Sequence, residues 1–146
     1  MRRLGYREKG SELSNGGDLS SKMADVTVSV LEAISSAMPN VKITLTGGND
    51  CYHQKLSYTS RHKLGNAMDI VISPSSEPNL DKVVSILMQF AAGNSAFRFI
   101  DEYRRLTAAG TGGHFHMSWG EGTEAASTSR TARLMAQNGE ITPIQV

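Results

Sequence analysis

Between residues 19 and 38 an apolar side chain returns every three or four positions: Met23, Val26, Val30, Ile34 and Met38. That is the period of one helix face, and Pro39-Asn40 ends it. K-I-T-L-T at 42–46 is a short β-branched run closed by Gly47-Gly48, which predicts a strand. Residues 49–61 are polar and predict a loop. The run 67–72 predicts a second strand, broken by Pro74 and Pro78. Asn79 is the expected N-cap of a second helix with Asp81 in its first turn. Leu80, Val83, Val84, Leu87 and Phe90 or Ala91 form its apolar stripe, and Gly93 is expected at C′. Strands follow at 96–103 and 114–119, separated by a Gly-, Ala- and Thr-rich loop over 106–113. Residues 129–137 predict a short helix stopped by Asn138-Gly139, and I-T-P-I-Q-V an extended end. Short strands adjacent late in the chain predict an α+β domain with a central antiparallel sheet and flanking helices.

The flanks differ from this body. Residues 1–18 read as a polar N-terminal arm with Arg2, Arg3, Arg7, Lys9 and the turn cluster S-N-G-G-D; 19–120 is the domain; 121–146 is a polar C-terminal tail. The 146 residues suit one core. A net charge of +1 gives no basic field for nucleic acid. No apolar run is long enough to span a membrane, and the basic start lacks the apolar segment of a secretory signal. The single cysteine, Cys51, excludes an internal disulfide and a C-x-x-C motif. It reads as a small, partly buried side chain.

Chemistry concentrates in two places. S-R-H-K-L-G-N-A-M-D-I at 60–70 holds His62 and Asp69, both zinc-ligand types. On a strand, Ala67, Asp69 and Val71 share one face and Met68, Ile70 and Ile72 the other. Ala67 leaves room beside Asp69, and Gly65 allows a turn before the strand. Read alone, the stretch describes a turn histidine and a surface aspartate better than a metal site. The second place is G-G-H-F-H-M-S-W. There His114, His116 and Ser118 face one way and Phe115, Met117 and Trp119 the other, into a core. Two imidazoles about 7 Å apart along a strand can serve one site, one as ligand and one aimed at a bound water or an oxyanion. A polar face on a half-buried strand is the alternative.

Together these residues resemble a known family. S-x-H-x-x-G-x-A-x-D, filled at Ser60, His62, Gly65, Ala67 and Asp69, followed by H-x-H at His114 and His116, is similar to the signature of the zinc peptidase superfamily of lysostaphin, D-Ala-D-Ala carboxypeptidases and the hedgehog domain. T-G-G-N-D-x-Y-H and I-D-E-Y look like its small phage-encoded branch, akin to endolysins and tail-associated cell-wall peptidases. The resemblance covers about 19–120. It implies a hedgehog/D-Ala-D-Ala-peptidase fold, a Zn2+ held by His62, Asp69 and His116, and His114 as the accessory histidine. It also implies peptidoglycan peptide stems as substrate, hydrolysis by a zinc-activated water, and carriage on a phage virion tail, with other tail proteins as partners.

Two departures shape the expectation. Many relatives place an acid just before the last zinc ligand, a place this chain gives to Gly112-Gly113. Others place it at the end of the preceding strand, where Asp101 and Glu102 stand. The hedgehog-like pattern favours Glu102 as the general base, although strand alternation does not decide between the pair, a bulge reverses it, and both also read as surface acids near Arg104 and Arg105. The turn T-G-G-N-D lacks the arginine that grips a substrate carboxylate in some carboxypeptidases, which points to an endopeptidase. Arg61 is near in sequence but at a variable position, and His53 reads as a loop histidine. The alternative function is a phage tail or baseplate adaptor using this fold with weak or no activity.

Overall fold

The computed structural model describes residues 2–3, 18–48, 61, 64–104, 112–120, 135, 137–139 and 141–146. Among the described residues it is a mixed α+β fold with a four-stranded antiparallel sheet and two long helices. Strands β1 (Arg2–Arg3) and β2 (Asp18–Leu19) make a separate two-residue ladder. Helix α1 is Ser21–Ala37 and β3 is Lys42–Gly47. Then come β4 (Ala67–Ser73), α2 (Glu77–Gly93), β5 (Phe97–Asp101) and β6 (Phe115–Trp119).

Ser20 caps α1, its hydroxyl accepting from the Met23 N–H at 3.2 Å, which satisfies one of the amides a helix start leaves open. The stripe Met23, Val26, Val30, Ile34, Met38 is buried as its period requires. Helix α2 begins two residues before the expected Asn79 cap. Ser76 is its N-cap and Pro78 lies inside the first turn, where a missing N–H costs nothing because that amide has no intrahelical partner. Asn79 instead donates from Nδ2 to the Pro74 carbonyl at 2.9 Å. Gly93 is the last helical residue rather than a left-handed C′ residue, and Asn94 caps the helix in an extended conformation.

The sheet order is β3-β4-β6-β5. The last strand is therefore inserted between β4 and β5, which run in the same direction and are joined by α2. Met68, Ile70 and Ile72 of β4, Phe115 and Met117 of β6 and Phe97 of β5 form one core with the buried stripes of both helices. Each such fully buried side chain contributes about 1.5–3 kcal/mol. Both helices thus cover one sheet face. On the other face, register places Asp69 beside His116 and His116 beside Ile100; the next row is Ala67, Ser118 and Arg98.

Residues 141–146 lie against this body. The Ile144 N–H donates to the Gln89 carbonyl at 3.0 Å and the Val146 N–H to Asn94 Oδ1 at 3.1 Å. Asn94 Nδ2 donates to Ile144 O at 2.9 Å, and Lys22 Nζ to Val146 O at 2.5 Å. Of the helix expected over 129–137, Met135 and Gln137 are described and are helical, and Gly139 turns the chain at φ +79°. No helix among the described residues is long and apolar enough to cross a membrane.

Candidate functional site

The polar face of the sheet gathers four side chains. Asp69 comes from β4 and His116 from β6, directly paired across the ladder, and Asp69 Oδ1 lies 3.0 Å from His116 Nδ1. His114 precedes β6 by one residue and Glu102 follows β5 by one. The Glu102 N–H donates to the His114 carbonyl at 2.9 Å, which extends the β5–β6 pairing by a step. That step brings Glu102 Oε2 to 2.5 Å from His114 Nε2, with Asp69 Oδ1 at 3.7 Å from the same nitrogen. The four side chains are 7–17% exposed. They are withdrawn from bulk water yet within reach of a small ligand.

The proton content of the His114–Glu102 pair follows from its second contact. His114 Nδ1 lies 2.7 Å from the Gly112 carbonyl oxygen. A carbonyl only accepts, so Nδ1 carries hydrogen. Nε2 and Oε2 at 2.5 Å then need one proton between them. The pair is either an imidazolium facing a carboxylate or a neutral imidazole accepting from a carboxylic acid. In both forms one proton is held between two groups that can pass it on.

The neighbouring Asp101 is built for another task. Its Oδ1 accepts from the backbone N–H groups of Tyr103 and Arg104 at 3.1 and 3.3 Å, and its Oδ2 from Arg104 Nε at 2.7 Å. Arg104 Nη1 also reaches Glu77 Oε2 at 3.0 Å, in the first turn of α2, and Asp81 Oδ1 at 2.6 Å, one turn further along. These carboxylates raise the Arg104 pKa above its ordinary value, Asp81 and then Asp101 acting most strongly. Asp101 and Arg104 thereby tie the end of β5 to α2, and Glu102 between them turns toward His114.

Tyr103 completes the turn. Its ring packs on Phe115 with centroids 5.1 Å apart, and its hydroxyl accepts from the Ile72 N–H at 3.0 Å. Pairing of β4 with β6 stops at Ile70, so the tyrosine takes the amide that no strand neighbour reaches. This ring also accounts for Gly113. A Cβ there would meet Tyr103 Cδ1 at 2.7 Å. An acid immediately before His114 has no room, and the carboxylate reaches the same histidine from β5 instead.

Of the other residues singled out in the sequence, Gly65 adopts φ +73° in the turn before β4, and Ala67 is fully buried beside Ser118. Ser60 and His62 lie outside the described residues, as do Cys51 and His53. Among the described residues no group of three or more His, Cys, Asp or Glu closes on a metal position. The Asp69–His116 pair nonetheless fits zinc. Imidazole nitrogen and carboxylate oxygen are its donors, and two ligand atoms of a tetrahedral zinc at ordinary bond lengths stand about 3.3 Å apart, close to the observed 3.0 Å. Sequence reasoning missed Tyr103 and Arg104, whose roles depend on where β4 and α2 lie. No family model, no curated protein and no solved structure matches this chain.

Proposed function

We propose that this chain is a zinc-dependent peptidase of hedgehog/D-Ala-D-Ala-peptidase type that hydrolyses peptide bonds of bacterial peptidoglycan. The observation that carries the reading is the convergence of Asp69, His116, His114 and Glu102 on one sheet face, with Glu102 Oε2 2.5 Å from His114 Nε2. The S-x-H-x-x-G-x-A-x-D and H-x-H motifs support the metal and the substrate class. The same resemblance supports carriage on a phage tail.

Asp69 and His116, with His62, would hold the zinc, which supplies Lewis acidity and lowers the pKa of a bound water. Glu102 is the general base, acting from the form of the pair in which it is a carboxylate and His114 carries both ring protons. It takes a proton from the attacking water and returns it to the departing amine. His114 keeps Nδ1–H on the Gly112 carbonyl, so its Nε2 stays aimed at the reacting centre. There an Nε2–H stabilises the negative charge that grows on the peptide carbonyl oxygen. The T-G-G-N-D turn without arginine favours cleavage within a peptide over recognition of its terminal carboxylate.

Metal analysis of the purified protein beside release of new amino termini from cell-wall sacculi tests the reading. Wild type is expected to carry zinc and to release amino termini, and His116→Ala to lose the metal. Glu102→Gln is expected to keep the metal and lose about 10²- to 10⁴-fold in turnover, the range a general base supplies. Asp101→Asn should keep most of its turnover. A wild-type protein that neither binds zinc nor cleaves sacculi sinks the reading, and a fully active Glu102→Gln sinks the choice of base.

A further inference from the structure

We propose that Arg61 is a positioning residue that fastens the chain next to His62 to the end of the strand carrying His116. The inference rests on the zinc reading above, and Arg61 itself touches neither metal nor substrate.

The Asn66 N–H donates to the Arg61 carbonyl at 2.8 Å, and Arg61, Leu64 and Gly65 are in turn conformation. The turn then grips Trp119, the last residue of β6, at two points. The Trp119 N–H donates to the Asn66 carbonyl at 2.9 Å, and Arg61 Nη1 donates to the Trp119 carbonyl at 3.2 Å. Both backbone polar groups of Trp119 are thus bonded to one turn. A third bond, from the Ser20 N–H to the Gly65 carbonyl at 2.9 Å, ties the same turn to the N-cap of α1. His62 follows Arg61 by one peptide bond, and His116 precedes Trp119 by three residues. The Arg61–Trp119 contact therefore links the chain segments that bear two of the three ligands.

Position 120 lies against the same guanidinium. Gly120 has φ +146°, and a Cβ built there would lie 2.2 Å from Arg61 Nη1. A side chain at 120 would be strained by that φ and would push the end of the Arg61 side chain aside. Lysine is a poor replacement at 61, because a single ammonium lacks the fork of fixed donors that lets arginine hold a set direction. Groups that orient metal ligands without touching the metal are commonly worth 10- to 100-fold in affinity.

The test is zinc affinity, read by competition with a chromophoric chelator, together with amide hydrogen exchange of the metal-free protein. Arg61→Ala is expected to bind zinc about 10- to 100-fold more weakly and to exchange faster at the Asn66 and Trp119 amides. Arg61→Lys, which keeps the charge and one donor, should fall between it and wild type, and it serves as the readout if Arg61→Ala does not fold. Val83→Ala, a core change away from the turn, controls for lost stability and should leave zinc affinity unchanged. Wild-type affinity and exchange in both Arg61 variants overturn the proposal. So does an equal loss in Val83→Ala, which would make the effect one of general stability. A wild-type protein that takes up no zinc is a different failure, visible in that arm alone, and it removes the zinc reading and this proposal together.

Discussion

The Tyr103 hydroxyl sits between a backbone amide it accepts from and a largely apolar surrounding. Burial raises its pKa above the ordinary 10.0; the Ile72 hydrogen bond acts in the opposite direction, and the Asp101 charge adds to the rise. A group whose folded pKa is raised contributes stability that is fully present below its unfolded value and is lost as pH rises through the folded one. Chemical denaturation should therefore show stability falling as pH climbs past about 10, with part of that fall absent in Tyr103→Phe. At neutral pH the same variant leaves the Ile72 N–H without its partner and should cost about 1–3 kcal/mol. An alkaline limb identical in the two proteins would mean that Tyr103 ionises as freely in the folded chain as in the unfolded one. None of this is legible in I-D-E-Y. Residue types there allow Asp101 or Glu102 to be the acid, and strand alternation separates the two without saying which face is which. Arg104, drawn to the first turn of α2, and Tyr103, reaching across to β4, are what turn Glu102 inward.

At the scale of elements, α2 and the 141–146 segment share a contact with an unusual sign. Glycine to alanine ordinarily stabilises a helix, by about 0.5–1 kcal/mol in its interior and by less at a last helical residue such as Gly93. At Gly93 the added Cβ would lie 2.0 Å from the Ile144 carbonyl oxygen, which Asn94 Nδ2 also bonds. Gly93→Ala is therefore expected to destabilise the full chain and to raise exchange at the Ile144 and Val146 amides. In a chain ending at residue 140 the same substitution should be neutral or stabilising. A double-mutant cycle in thermal unfolding measures the reversal, and additive effects would show that the segment does not dock as described. The apolar stripes of both helices were readable because a period near 3.6 marks one face. The start of α2 was not. Asn79 is a good cap by residue type, but a proline is tolerated inside a first turn, so the sequence leaves Ser76 and Asn79 as rival starts. Gly93 had the residue type of a left-handed cap, and its small size meets a close approach from residues some fifty positions away.

For the whole molecule, the rival to the enzyme is an adaptor that keeps the fold for assembly. One observation behind that rival is the lack of an acid beside the last ligand, and Glu102 stands against the neighbouring His114 from the end of β5. The flanks separate the two readings. Arg2–Arg3 pair with Asp18–Leu19, while Leu19 itself is fully buried in the core. Deleting residues 1–17 removes that two-residue ladder and keeps Leu19. The enzyme reading expects sacculus hydrolysis within a few-fold of full length, whereas an adaptor that works through the arm expects lost assembly with no hydrolysis in either form. By itself the sequence determined an α+β domain with two amphipathic helices, and it marked Asp69, His114 and His116 as residues of one kind of chemistry, because period and residue type are local properties. Strand order was decided only in the tertiary structure. The insertion of β6 between β4 and β5 sets His116 beside Asp69 and His114 beside Glu102. A sequence lists strands in chain order, whereas the sheet orders them by which apolar faces pack together beneath α1 and α2.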